Sequence, residues 1–268
     1  MNNEENSTGK PLADELWLEN HHKAKLKERT QFAKELLELH PKKIVDLGCA
    51  TGLWFELLNQ ILPPECEFIG IDSDVHSLSI AVQRCKLWKR KVSFMKLDIE
   101  TEVSQIPSAD ITLAFNIFPY IENLEVFINA LASRSPKGVL AIRQYDGASI
   151  RFGPMPTFKR QKIESDLRLA TENSKKFRHY DLDRTFTAIK NSSYDKMDYK
   201  FELFERLSPF TEDFIPYYKG MLSWTCQHIS ESSAIYLNNW MKEDPDMLNR
   251  YFFGEYPKVC VNLQTDVR

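Results

Sequence analysis

Between Ile44 and Arg143, five short apolar runs alternate with helix-patterned stretches, and this alternation constrains the fold more than any other feature of the chain. The runs are Ile44–Leu47, Phe68–Asp72, Val92–Asp98, Ile111–Asn116 and Gly138–Arg143, each four to seven residues long. Between them, Leu53–Leu58, Val75–Trp88 and Leu124–Ala132 have the pattern of helices. Short buried strands alternating with helices predict βαβ units and a parallel sheet covered on both faces. The expected fold is α/β, a doubly wound, mostly parallel sheet.

The rest of the chain is placed around that core. Residues 1–10 read as a disordered polar tail. Residues 11–41 read as N-terminal amphipathic helices that end at Pro41. The core is expected over 42–146. From Gly147 the strand rhythm stops, and 147–196 reads as a helical cap inserted after the fifth strand. Residues 197–268 are expected to return to the core, with closing strands at Tyr199–Leu207 and Lys258–Leu263 and helix between Ser223 and Arg250.

The most informative segment is Asp46-Leu47-Gly48-Cys49-Ala50-Thr51-Gly52, a strand end running through a glycine turn into a helix. In an open parallel sheet, ligands bind outside the carboxyl ends of the strands. Gly48 lets backbone and ligand approach closely. The spacing excludes two cofactor classes. A dinucleotide loop needs GxGxxG, but Ala50 and Leu53 occupy the second and third glycine positions. A P-loop needs Lys and then Ser or Thr after its last glycine, and Gly52 is followed by Leu53. An acid two residues before the turn repels phosphate and suits an ammonium, while the N–H groups at the helix start suit a carboxylate. The ligand therefore carries both, as an amino acid does. Asp72 ends the next strand, where an acid accepts from ribose hydroxyls. Asp98 ends the third, placed to accept from an adenine amino group. Asn116 ends the fourth. Amino acid, ribose and adenine together describe S-adenosylmethionine.

On these residues the chain resembles the class I S-adenosylmethionine-dependent methyltransferase family. The matching pieces are IVDLGCATG (44–52), FIGIDSD (68–74), VSFMKLDIE (92–100), ADITLAFNIFPYIEN (109–123) and SPKGVLAI (135–142), in the family's order. Ala50 departs from the glycine many members carry. The resemblance implies that Asp46, Gly48, Cys49 and Gly52 wrap the methionine part of the cofactor. It further implies that Asp72 takes the ribose with Ser73 beside it, that Asp98 and Ile99 hold the adenine, and that Asn116 lies under the sulfonium.

In such proteins the acceptor meets the N-terminal helices, the loop after the fourth strand and the insertion after the fifth. The loop Asn116-Ile117-Phe118-Pro119-Tyr120 lacks the Asn/Asp-Pro-Pro-Tyr pattern of methylases acting on DNA or glutamine, because Ile117 and Phe118 replace its first two residues. After the fifth strand, Arg143, Tyr145 and Asp146 are the catalytic candidates: Arg143 to clamp a carboxylate, Tyr145 or Asp146 to orient a nucleophile or take its proton. Tyr180, in the run Arg178–Arg184, is a fourth, placed to close the cap over the site. The aromatics Phe201, Phe204, Phe210, Phe214, Tyr217, Tyr218 and Trp224 are expected mainly in the core. A few, with Trp17 or Phe118, are available to cage a cation. His21 and His22 are expected to point apart on their helix, and no metal site is expected.

Composition narrows the partners. Net charge is −3, where duplex-binding chains are usually basic. No apolar run approaches the roughly 20 residues of a membrane span. Residues 1–10 lack the apolar stretch of a secretory signal, and the five cysteines are odd in number and widely spaced, as in a cytoplasmic protein with reduced thiols. The expected function is methyl transfer to a small polar molecule. The alternatives are attack at the methionine γ-carbon with release of methylthioadenosine, or a non-catalytic cofactor-binding subunit.

Overall fold

The structure, a computed structural model, describes residues 13–144, 149–173 and 182–262. Two helices, α1 (Glu15–Ala24) and α2 (Leu26–Leu37), precede the sheet. Then follow β1 (Lys43–Leu47), α3 (Leu53–Asn59), β2 (Glu67–Asp72), α4 (Val75–Cys85), β3 (Val92–Lys96), β4 (Ile111–Phe115), α5 (Leu124–Arg134) and β5 (Val139–Arg143). The C-terminal part comprises β6 (Ile150–Gly153), α6 (Thr157–Asn173), α7 (Leu182–Lys190), β7 (Lys196–Leu207), α8 (Ile215–His228), α9 (Glu231–Lys242) and β8 (Tyr251–Asn262).

Five strands pair in parallel in the order β3-β2-β1-β4-β5. The order reverses between β1 and β4, opening the crevice where an α/β sheet takes its ligand. Strand β8 then runs antiparallel to β5, and β7 pairs antiparallel along the other side of β8. The sheet is thus the doubly wound, mostly parallel one expected. The C-terminal part differs from the sequence reading: β8 begins at Tyr251 rather than Lys258, and the helix expected over Ser223–Arg250 is two helices, α8 starting at Ile215, and α9. The stretch after β5, read as helical, opens with β6, which continues the line of β5 along β8. Four residues around a single Phe152 are too few to show a strand period of two.

The central strands are apolar because both their faces are covered. On one face, Ile44, Phe68, Ile111 and Leu113 pack with Phe32 and Leu36 of α2 and Phe55 and Leu58 of α3. On the other, Val45, Leu47, Ile71 and Ile142 pack with Phe127, Ile128 and Leu131 of α5 and with Ala188 and Ile189 of α7. A third apolar cluster joins β6, β7 and β8 to α6, α8 and α9 around Phe204, Phe214, Tyr217, Tyr218 and Phe252. Most of the aromatic run expected in the core lies here, whereas Phe201 is exposed. No helix among the described residues is long and apolar enough to cross a membrane.

Gly70 shows how tightly the crevice floor is built. A Cβ at Gly70 would stand 2.6 Å from the Phe94 ring and 2.8 Å from Cys49 Sγ. Gly70→Ala is therefore expected to overpack this floor and cost about 1–3 kcal/mol, read as a lowered Tm in thermal unfolding; an unchanged Tm would contradict the packing described.

Candidate functional site

The loop that follows β1 is shaped by its own backbone. Gly48 and Gly52 have φ of 69° and 78°, and Ala50 sits at 45°, so the turn passes repeatedly through the left-handed region. A Cβ at Gly48 would lie 2.6 Å from Ile117 Cγ2, which leaves only glycine at that position. The Gly48 and Cys49 N–H groups donate to the Ile71 carbonyl at 2.8 and 3.0 Å, binding the turn to the end of β2. Asp72 completes the clasp: its Oδ2 accepts from Ala50 N and its Oδ1 from Asp74 N, both at 2.9 Å. Asp98 accepts from the N–H groups of Glu100 and Thr101. Asn116 takes a φ of 57°, which Asn tolerates better than most side chains, and its N–H donates to the Arg143 carbonyl at 2.8 Å.

These strand ends open on a cavity of about 360 Å³. Gly48, Cys49, Asp72, Ser73, Asp98, Ile99 and Asn116, read from the sequence as cofactor residues, all stand on its wall. Asp46 lies behind that wall and Gly52 at the start of α3. Asp46 is fully buried and its Oδ2 has no hydrogen-bond partner. Burial and the nearby Asp72 charge push its carboxyl well above the usual range, with Arg29 opposing. Thr51 Oγ1, on the wall, is likewise buried without a partner. The Cys49 thiol is pushed up by burial and by Asp46 and Asp72, so it is a neutral packing group.

The opposite wall comes from α1, α2 and α8. Trp17 stacks on Tyr217 with ring centroids 5.5 Å apart, and Met221 and Trp224 continue the apolar surface. Gly220 makes that stack possible, because a Cβ there would meet the Trp17 indole at 2.4 Å. Phe118, the other aromatic considered for a cage, is wholly buried in the core and off the wall.

His21 and Arg29 also reach the cavity, and neither was singled out from the sequence as a site residue. The adjacent histidines were expected to point apart. They converge on one guanidinium instead: Arg29 Nη1 meets His22 Nδ1, and Nη2 meets His21 Nδ1 at 2.8 Å. The helix is interrupted at Lys25 between α1 and α2, and Arg29, one turn further on, meets both rings. His22 and Arg29 are seven apart, a spacing that shares a face along one helix, but whether their side chains meet depends on the interruption at Lys25, which sequence spacing did not reveal. Among the described residues no group of histidines, cysteines and acids is arranged to hold a metal.

The catalytic candidates fall differently. Arg143 is buried beneath the wall. Its carboxylate partner is Glu202 of β7 at 3.3 Å, and its guanidinium packs over the rings of Phe32 and Trp54. The clamp expected for a ligand is therefore closed on the protein itself. Tyr145, Asp146 and Tyr180 lie outside the described residues. Arg184, four residues beyond Tyr180, donates to the carbonyls of Phe118, Ile121 and Glu122 at 3.2, 2.6 and 2.8 Å, fastening α7 to the loop after β4.

Residues 40–202 match the family model of the methyltransferase domain. No curated protein matches the sequence. Among solved structures, a candidate O-methyltransferase from Klebsiella pneumoniae is 11% identical with a TM-score of 0.51, over 94% of this chain and 91% of that one. The YcgJ protein from Bacillus subtilis is 10% identical with a TM-score of 0.51, over 88% and 100%. The plantazolicin methyltransferase BpumL, solved with S-adenosylhomocysteine, is 18% identical with a TM-score of 0.49, over 93% and 88%. At these identities the likeness is one of fold. The fold and the strand-end site define a class I S-adenosylmethionine-dependent transferase. The chain belongs to the methyltransferase-domain family.

The buried histidines have a consequence for pH. Burial and the Arg29 charge lower His22 to about 3. The folded state then binds fewer protons than the unfolded state below pH 6.5, so stability falls as pH drops through 6.5 toward 3. Between pH 6.5 and 5 this amounts to up to about 2 kcal/mol. Raised Asp46 acts in the opposite sense. His22→Gln is expected to flatten the fall of Tm between pH 6.5 and 5; a slope identical to wild type would remove His22 as its source.

Proposed function

We propose that this chain transfers the methyl group of S-adenosylmethionine to a small polar molecule held between the strand ends and helices α1 and α8. The observation that carries this reading is that one cavity has both walls: the turn and acids of β1–β4 on one side, and Trp17, His21, Arg29 and Tyr217 on the other. When bound, S-adenosylmethionine supplies an electrophilic methyl on a sulfonium. Asp72 and Asp98 offer carboxylate oxygens at the positions for ribose and adenine. Gly48, Cys49 and Gly52 shape the turn that lies along the methionine part. Asp46, behind the turn, has an unpartnered oxygen for an ammonium, and that positive charge would offset its repulsion from Asp72. Ser73, Ile99 and Asn116 complete this side. These residue types fit the cofactor. The protein's task in such a reaction is to align acceptor, methyl and sulfur and to exclude water, and the Trp17–Tyr217 stack serves the second.

A small acceptor is favoured because α1 and α8 cover the cavity. A nucleic-acid substrate is disfavoured by the net charge of −3 and by Ile117 and Phe118 in the loop after β4. The core domain over 42–146 would hold the cofactor, with 147–196 as the cap. Tyr145 and Asp146, at the end of the core domain, and Tyr180, in the cap, are the proposed acceptor-facing groups. A cytoplasmic location is supported by the free thiols of Cys49, Cys66, Cys85 and Cys226.

Two measurements test this reading. In calorimetric titration with S-adenosylhomocysteine, wild type is expected to bind one equivalent, and Asp72→Asn to bind about 10- to 100-fold more weakly, the range for loss of hydrogen bonds to a charged acceptor. Equal affinities would remove Asp72 from the cofactor site. Mass spectrometry after incubation with S-adenosylmethionine alone is expected to return the cofactor intact. Methylthioadenosine above the uncatalysed background would instead show attack at the γ-carbon.

A further inference from the structure

The charges beside the cavity are unevenly paired. Arg206 of β7 holds both oxygens of Glu28, at 2.8 and 3.0 Å, and Arg143 holds Glu202 at 3.3 Å. Glu28 and Glu202 are thus engaged by other arginines, and Asp46, though close enough to act on Arg29 through its charge, gives it no hydrogen bond. Arg29, buried on α2 at the cavity wall, meets among the described residues the two imidazoles through its side-chain hydrogen bonds, and stacks over Trp54 at 5.0 Å. Those rings are neutral, since burial and the surrounding cations hold both histidines below their ordinary range. Lys25 is buried one turn before Arg29, with Nζ 2.7 Å from His21 Nε2 and over the Tyr217 ring, and burial with the Arg29 and Arg143 charges holds it well below its ordinary range, so it adds little charge. Burial and the Arg143 charge together bring Arg29 itself down to about 9. A buried guanidinium whose hydrogen-bond partners are neutral is costly, and an anion arriving beside it recovers much of that cost. The same charges repel an ammonium.

We propose that Arg29 forms an anion subsite for the acceptor, which carries a carboxylate on a planar apolar body lying against Trp17, Tyr217 and Trp224. Arg29 offers the forked donor geometry that matches two carboxylate oxygens, and two of its five N–H donors are taken by the histidines. This rests on the proposal that the strand-end half of the cavity holds S-adenosylmethionine. The cofactor also bears a carboxylate, so the test separates the two sources.

The full-length protein is first saturated with S-adenosylhomocysteine, which fills the cofactor half. Phenylacetate, phenylacetamide and phenethylamine are then titrated against it with tryptophan fluorescence as the readout. They share one ring and differ in end-group charge. The expected order is phenylacetate tightest, the amide at least about tenfold weaker, as for loss of a charge-assisted pair, and the amine weakest. Arg29→Met is expected to erase the preference while leaving S-adenosylhomocysteine affinity within about twofold; Arg29→Lys keeps the charge without the fork and is expected to fall between. Phenylacetate binding no better than the amide, including no binding of either, overturns the proposal without needing any variant. So does a loss of S-adenosylhomocysteine affinity in Arg29→Met equal to its loss for phenylacetate, which would give Arg29 to the cofactor's carboxylate. Failure of wild type to bind S-adenosylhomocysteine at all overturns the cofactor reading instead.

Discussion

The two-pronged contact between Arg206 and Glu28 holds the covering wall of the cavity in place. Arg206 also donates to the Ala24 carbonyl at 2.7 Å, so a single side chain from β7 fixes the end of α1 and the start of α2 together. Both partners are largely buried, where a bidentate guanidinium–carboxylate pair is both stronger and more directional than at the surface. The break at Lys25 is thereby fixed, and with it the angle that brings His21, His22 and Arg29 into one cluster. The anchor adds to the Trp17–Tyr217 stack on α8 and to the packing of Phe32 and Leu36 in fixing α1 and α2 relative to the strand ends.

The strand-end wall depends on a different arrangement, the burial of acids near one another. Asp46 and Asp72 sit at the ends of adjacent strands, each pushed upward by burial, and Asp46 further by Asp72. Asp72 is compensated by backbone N–H groups, which favour its charged form. Asp46 Oδ2 has no such compensation. The site thus carries negative charge at its floor and positive charge at its covering wall. A ligand with a cationic centre near the floor and an anionic group toward α2 matches that polarity.

The floor was legible in the sequence, while of the covering wall the aromatics Trp17, Tyr217 and Trp224 were named and its charged part was not, for a physical reason. Strand-end acids and a glycine turn are set by local rules: period-two or fully buried strands, left-handed turns and a topology that brings every strand's carboxyl end to one edge. Gly48, Asp72, Asp98 and Asn116 follow from those rules, and all four reach the cavity. Arg29 depends on a helix break and on pairings with β7 more than a hundred residues away, which no local pattern carries. Arg143 shows the converse: it stands at a strand end as the others do, yet Glu202 from the antiparallel return occupies it. Strand β6 escaped notice because it is short and continues β5 rather than beginning a new unit.

Gly220 has an effect out of proportion to its size. The Trp17 indole lies where any side chain on residue 220 would need to be, so α1 and α8 approach only because that position is bare. The separation of the two helices, and so the height of the cavity above the strand ends, is set by one missing methyl. A single carbon at residue 220 would act as a spacer, prising the helices apart by about 1 Å, since packed elements yield by shifting rather than compressing. In a cavity whose strand-end side is fixed by the sheet, this makes residue 220 a gauge for its width: one side can stay constant while the aperture is reset.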